Sequence, residues 1–454
     1  MEKIRLIKER VVIIMAYTPK ARKFKIRWKF AGPFLVLITL LVYLIAQFII
    51  GALDDSPPKL TICDYSENKS FDQLNKDYKN TYPLSDYLFY GESLALLKDD
   101  YNPEVNDEVV GKTMVFKNIC NGNEYPFSIE SSMDRHVALS ELSPGYYEVF
   151  VIDDMKEKRV TYDNDLKDTS FTTINRFGEV KQIGLYANKN LLKDYEKKLK
   201  NRYLFIEVKN KKANENEYDI VLDPGSFNRD FTYTIDRGVE ANGLVEYQEN
   251  FKAAKRIKSK LEKYGLRVKL TRNHVDDIVN TYGAKGRLAK AYQSSARYYF
   301  HIGANSSEFD SIQGSEVYYS AYSSPTLANA LMYDLKKNTQ LSGNATNAPD
   351  LSNAGVMQAY LIEGKDGRTL YDNDMYIREV GGKATLASQY SQTSEKSNAA
   401  FSKDNIHGLL GVSIYYSYFT NKQDAAYWKD NWQKISDETA NSIANYLKVN
   451  KKEK

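Results

Sequence analysis

The sequence predicts an α/β protein: a mostly parallel sheet flanked by helices, preceded by a transmembrane helix and a β-sandwich-like domain. Three observations carry this. From Tyr218 to Asn305 the apolar pattern switches between period two and period 3.6 in the order strand, helix, strand, helix, strand, which is how parallel strands and right-handed crossovers read. From Leu60 to about Val208, short β-like runs are separated by polar turns. Ala31 to Leu53 carries no charged residue at all.

At the start of the chain, the first 30 residues hold ten Lys and Arg against two Glu, about +8, so the remainder of a chain with net charge +4 is about −4. The basic excess belongs to this N-terminal segment and not to the folded part, and nothing in it points to nucleic acid. Residues 31–53 are long enough, at about 1.5 Å per residue, to cross the hydrocarbon core. Arg22, Lys23, Lys25, Arg27 and Lys29 lie before the run and Asp54 and Asp55 after it. The positive-inside rule then predicts a single-pass protein of the cytoplasmic membrane, N-terminus inside and the bulk of the chain extracytoplasmic. A cleaved signal peptide is the competing reading, since Gly51 and Ala52 are small, and Met1 and Met15 both stand as starts.

Pro57-Pro58 reads as a stiff exit from the membrane. Within 54–208, Thr113–Ile119, Tyr147 to Val151, Ile183–Ala187 and Tyr203–Val208 read as strands of a small β-sandwich. The L-x-P-G-x-Y-x-V pattern from Leu142 to Val149 resembles the closing strand of immunoglobulin-like or prealbumin-like surface modules, which implies a spacer or a binding module. Cys63 and Cys120, the only cysteines, are either a disulfide or two buried thiols. Residues 209–217, KNKKANENE, are polar and without period, and mark a linker.

The α/β domain is assigned to 218–448. Ile220-Val221-Leu222, stopped by Asp223-Pro224-Gly225, reads as a buried strand ending in a turn. Phe251, Ala254, Ile257, Leu261 and Tyr264 form one helix face, with Gly265 as its C-cap. The lysines and arginine between them, Lys252 to Lys263, read as a solvated face, with contact to an anionic polymer as the alternative. Leu266, Val268 and Leu270 alternate as a strand; a second helix is expected from Gly286 to Ala296, and Tyr298–Ile302 is a further strand. Leu327–Lys336 reads as a helix. Residues 343–404 read as loops walling a cleft, including a tight loop at Gly381-Gly382 before a helix start. Gly408–Phe419 reads as the last core strand, Trp428 to Leu447 as closing helices, and 449–454 as a charged tail.

Several motifs recur here at consistent spacing: DPG at Asp223, GLVEYQENF at Gly243–Phe251, TRNHVD at Thr271–Asp276, Arg287 with Ala291 in register to Ala304-Asn305, and Phe419-Thr420-Asn421. Together they resemble the zinc-dependent N-acetylmuramoyl-L-alanine amidases of the amidase type 3 family, over about Tyr218 to Leu447. The resemblance implies a zinc held by two histidines and a glutamate, and a second glutamate as general base. Carried over residue by residue, the metal positions fall on Ser226, Glu246 and Gly303 and the catalytic glutamate on Tyr415; only Glu246 keeps the family's residue. No catalytic residue, metal or other cofactor is therefore predicted, zinc belonging only to an active alternative.

The chain has four histidines, His136, His274, His301 and His407. His301 lies two residues before Gly303, on the same strand face and roughly 6 to 7 Å away. It reads as a polar residue filling the vacated pocket, with a relocated metal site as the alternative. Glu246, His301, Asn305, Arg272, Arg287 and Tyr415 form the candidate ligand pocket. Three functions follow: an amidase-like pseudoenzyme that binds peptidoglycan or a cell-envelope protein without hydrolysis, an active amidase cutting the bond between N-acetylmuramic acid and L-alanine, or an assembly protein using the fold as an interaction surface.

Overall fold

The apolar run at Ile220 forms the strand Ile220–Pro224, every residue of it buried. The computed structural model describes residues 39–43, 74–98, 108–131, 137–162, 169–176, 178–186, 199–229, 234–283, 285–346, 354–363, 370–380 and 409–449. Ile220–Pro224 lies in a six-stranded sheet in the order Val268–Leu270, Ile220–Pro224, Tyr298–Asn305, Leu410–Tyr418, Glu316–Tyr319, Val356–Gln358. All neighbours pair in parallel except Glu316–Tyr319 against Leu410–Tyr418. The mostly parallel sheet expected from the alternating pattern is present.

Helix Glu246–Lys263 buries Phe251, Ala254, Ile257 and Leu261 as its spacing requires, and Gly265 takes φ +85°, a conformation that suits glycine. Helix Thr326–Thr339 and a single helix Lys422–Tyr446 complete the layers. The latter is capped by the Asn421 side chain, which accepts from Gln423 N and Asp424 N. Several elements depart from the sequence reading, among them the strands Val356–Gln358, Leu361–Glu363 and Leu370–Asp372 within the stretch read as loop. The second helix is only Arg287–Tyr292, because Ser294 Oγ takes the Ala291 carbonyl at 2.5 Å and turns the chain. Within the stretch read as loop, Met375–Val380 is helical, with Asp374 Oδ1 accepting from Tyr376 N and Ile377 N. Gly381 to Thr385 lie outside the described residues.

The β-rich region has two unequal layers. An eight-stranded sheet has Gly145–Asp153 at its heart, pairing with Thr113–Asn118, Lys156–Tyr162 and Phe205–Lys211, so the L-x-P-G-x-Y-x-V segment is central and not a closing edge. The second layer is the three-stranded sheet Asp86–Tyr90, Ser93–Leu97, Val137–Ala138. Phe205–Lys211 runs into the first three residues of the predicted linker. Cys120 is disulfide-bonded, and Cys63, the only other cysteine, lies outside the described residues.

Strand Ser93–Leu97 serves two cores at once. Period two sends Leu94 and Leu96 into the β core with Phe116 and Val149, and Ala95 and Leu97 into the α/β core with Leu222 and Phe300. The turn before it is seated on the α/β sheet. Gly91 has φ +57°, and a Cβ there would meet Leu410 Cβ at 3.2 Å and Tyr298 at 3.3 Å. Glu92 accepts from Ile174 N, from Arg176 Nη1 (2.8 Å) and Nη2 (2.5 Å) and from Tyr298 OH (3.3 Å), and is 4% exposed. Glu92 and strand Ser93–Leu97 thus tie the described parts of the β-rich region to the α/β sheet.

The chain divides into two compact units, Met1–Lys59 and Leu60–Lys454. In the first, residues 39–43 are helical and exposed, and the rest of the predicted span 31–53 lies outside the described residues. Among the described residues no helix is long and apolar enough to cross a membrane.

Candidate functional site

The end of strand Ile220–Pro224 places Asp223 at the centre of a buried polar cluster. Its Oδ1 accepts from Thr271 Oγ1 (2.5 Å) and Arg287 Nε (2.8 Å), its Oδ2 from Tyr299 OH (2.7 Å), and His301 Nδ1 lies 3.2 Å from Oδ2. Burial opposes ionisation of Asp223, but the Arg287 guanidinium and then the His301 hydrogen bond outweigh it and hold the carboxyl well below the usual carboxylate range. Burial, and next the Asp223 charge, push the Tyr299 hydroxyl far up. His301 is sandwiched: the Tyr376 ring stacks on it at 3.6 Å and 10°, and Tyr415 lies tilted at 5.7 Å.

The four positions carried over from the amidase pattern do converge beside this cluster. A Cβ at Gly303 would sit 2.7 Å from Tyr415 Cε1 and 3.2 Å from His301 Nε2, and one at Gly225 would sit 2.5 Å from His301 Cε1. A Cβ at Gly238, φ +72°, would collide with Glu246 Oε2 and lie 2.8 Å from Ser226 Cβ, so glycine there admits the carboxylate. Glu246 is the first residue of its helix and is 5% exposed. Its Oε2 accepts from Val239 N (2.8 Å) and its Oε1 from Asn250 Nδ2 (3.1 Å) and Ala304 N (3.3 Å). Burial raises its pKa, and those two main-chain donors work against the rise.

The remaining predicted pocket residues take different places. Arg287, fully buried, joins the cluster through Asp223 and also donates to Val279 O (2.9 Å) and Thr281 Oγ1 (3.1 Å). Arg272 is turned onto carbonyls of Pro224, Val275 and Tyr247 and lies over the Phe227, Tyr247 and Phe251 rings; burial, then repulsion from Arg287, lowers its pKa to about 10. Asn305 donates to Glu316 Oε2 at 2.8 Å. Glu316, also bonded by Tyr318, Tyr418 and Asn344, is a buried hub that the sequence reading missed, as are Tyr299 and Tyr376. His274 is exposed in its loop, and His136 and His407 lie outside the described residues.

A structural or catalytic zinc needs three or four N, S or O ligands from the protein. Among the described residues no three His, Cys, Asp or Glu side chains converge to hold a metal ion. Both Glu246 oxygens already accept hydrogen bonds, and Tyr415 fills the space that a side chain at Gly303 would enter. These residues do not fit the family's zinc.

Residues 220–365 match the family model described as N-acetylmuramoyl-L-alanine amidase. No curated protein matches the chain. Among solved structures, the catalytic domain of CwlV from Bacillus (Paenibacillus) polymyxa var. colistinus is 19% identical, covering 51% of this chain and 99% of that one, TM-score 0.34. AmiC2 of Nostoc punctiforme is 20% identical over 51% of this chain and 97% of its own, TM-score 0.33. Ami1 from Mycobacterium smegmatis is 16% identical over 52% and 99%, TM-score 0.35. The α/β half of this chain therefore resembles the N-acetylmuramoyl-L-alanine amidase family.

Proposed function

We propose that the chain is a cell-envelope protein whose amidase-like module binds peptidoglycan without hydrolysing it, anchored in the cytoplasmic membrane through residues 31–53 with its N-terminus inside. One observation carries the non-hydrolytic reading: Tyr415 occupies the space beside Gly303, where the family resemblance implies a histidine ligand and a general base. Without a metal-bound water brought near neutrality, the arrangement has no nucleophile for an amide. What the module keeps is the order of the family's motifs on a mostly parallel sheet.

The test is made on the purified full chain, dialysed against trace zinc and then analysed for metal, for retention on purified sacculi, and for release of stem peptides from them. Zinc far below one per chain, retention on sacculi and no release are expected. Zinc near one per chain, lost in Glu246→Ala and accompanied by cleavage, would establish the active amidase instead. No retention and no cleavage would leave the assembly-protein reading, in which the partner is another envelope protein.

A further inference from the structure

The stretch of chain that covers His301 lies outside the main sheet. Among the described residues, strands Leu361–Glu363 and Leu370–Asp372 pair only with each other, and helix Met375–Val380 follows them directly. Residues 370–380 meet the body of the α/β region through side chains. Tyr376 stacks on His301, and Tyr282 OH lies 3.4 Å from Met375 Sδ. Asp372 reaches across to the exit of strand Glu316–Tyr319, where its Oδ2 lies 2.6 Å from Ser320 Oγ and its Oδ1 accepts from Ala321 N at 2.8 Å. Asn373 exchanges bonds with Tyr360, beside the same outlying hairpin.

Asp372 is a fastener that works without charge. It is 2% exposed and makes no ion pair among the described residues, while Arg378 Nη1 donates to its main-chain carbonyl at 3.3 Å. A carboxylate so placed lacks the partner that a buried charge needs. A neutral carboxyl suits the place. Its proton goes to Ser320 Oγ, and Ser320 turns its own hydrogen to Tyr90 OH at 3.2 Å, so hydrogen bonds run from the strap to the β-rich region with no interior charge. Burial raises the Asp372 pKa to about 7, against the bonds from Ser320 and Ala321; Asp374 adds to the rise and Arg378 opposes it. Those two charges stand on the same segment, and across the joint stand the hydroxyls of Ser320 and Tyr90.

We propose that residues 370–380 are a proton-operated strap: seated on Ser320 and Ala321 by a neutral Asp372, they lift when that carboxyl loses its proton and take Tyr376 off His301. The sign follows from linkage. Seating is strongest below the ordinary carboxylate pKa near 4 and weakens as pH rises to about 7, by up to about tenfold in the opening constant per pH unit, and then levels off. The strap governs what uncovers the pocket, whatever enters it, and does not depend on the peptidoglycan-binding reading.

Amide hydrogen exchange of the full chain between pH 5 and 8, each rate divided by the intrinsic rate at that pH, gives the opening constants at Tyr376 and Ile377. Helix Lys422–Tyr446 serves as the reference for opening of the whole fold. The strap amides should open far more often than the reference, with a constant that rises on the order of tenfold per pH unit from 5 to 7. Asp372→Asn should flatten that rise. Ser320→Ala, which removes the acceptor of the Asp372 proton, should raise the constant at pH 5 on the order of tenfold. The inference is overturned by a constant that does not change with pH in the wild type, by strap amides that open only as often as the reference helix, by a slope that survives Asp372→Asn, or by an unchanged constant in Ser320→Ala.

Discussion

Arg287 Nε donates to Asp223 Oδ1 at 2.8 Å with both side chains wholly buried. Removing one partner of such a pair leaves an uncompensated interior charge, so Asp223→Asn should cost about 3–5 kcal/mol in denaturant unfolding. The sign of the pH response follows. The folded carboxyl titrates well below the unfolded one, so its contribution is present above about pH 4 and is lost as pH falls further toward the folded value. Asp223→Asn should flatten this acid limb; an unchanged limb would show that other carboxylates set it.

Asp372 behaves in the opposite sense. Burial raises its pKa to about 7, against hydrogen bonds from Ser320 Oγ and Ala321 N. A group raised in the folded state contributes stability below its unfolded pKa and loses it as pH rises through the folded one. Stability should therefore fall between about pH 4 and 7, by at most roughly 1.4 kcal/mol per pH unit. Asp372→Asn should remove that slope in urea titrations taken at several pH values.

Gly303 and Tyr415 compete for one space. Gly303→Ala places a methyl against the Tyr415 ring, 2.7 Å from Cε1, and should destabilise by about 1–3 kcal/mol. In a Tyr415→Ala background the same change should cost little. The coupling is measured by a double-mutant cycle, and additivity within a few tenths of a kcal/mol would refute the steric account.

Glu92 joins the two folded regions. Glu92→Ala leaves Arg176 and the buried Tyr298 hydroxyl without their shared acceptor and should cost about 3 kcal/mol. Wild-type chain should unfold in one transition by both near-ultraviolet and far-ultraviolet dichroism. Two separated transitions in the wild type would show that the clasp does not couple the regions.

Local patterning reads local structure well. The Ile220-Val221-Leu222 run, the Phe251 to Leu261 face and Gly265 appear as strand, helix face and cap because each is fixed by neighbours in sequence. The motif spacing also brought Ser226, Glu246, Gly303 and Tyr415 to one place. What stayed hidden is long-range and polar. Asp223 read as a turn residue, yet it pairs with Arg287, 64 residues away, and no periodicity encodes such a pair. Tyr376 comes from a six-residue helix too short to show a period, so its stacking on His301 had no signal. Glu92 sits between Gly91 and Ser93 in a β-turn, where a solvated carboxylate is the ordinary reading.

The shared strand bears on how such a chain can change over generations. With Leu94 and Leu96 facing one core and Ala95 and Leu97 the other, neither half has a surface of its own at that wall. A gene fusion that joined the α/β half to a different upstream module would bare Tyr298 and Leu410 to water and leave the Tyr298 hydroxyl without Glu92. The two halves are therefore expected to be inherited together, and to accept substitutions at this wall only in matched pairs.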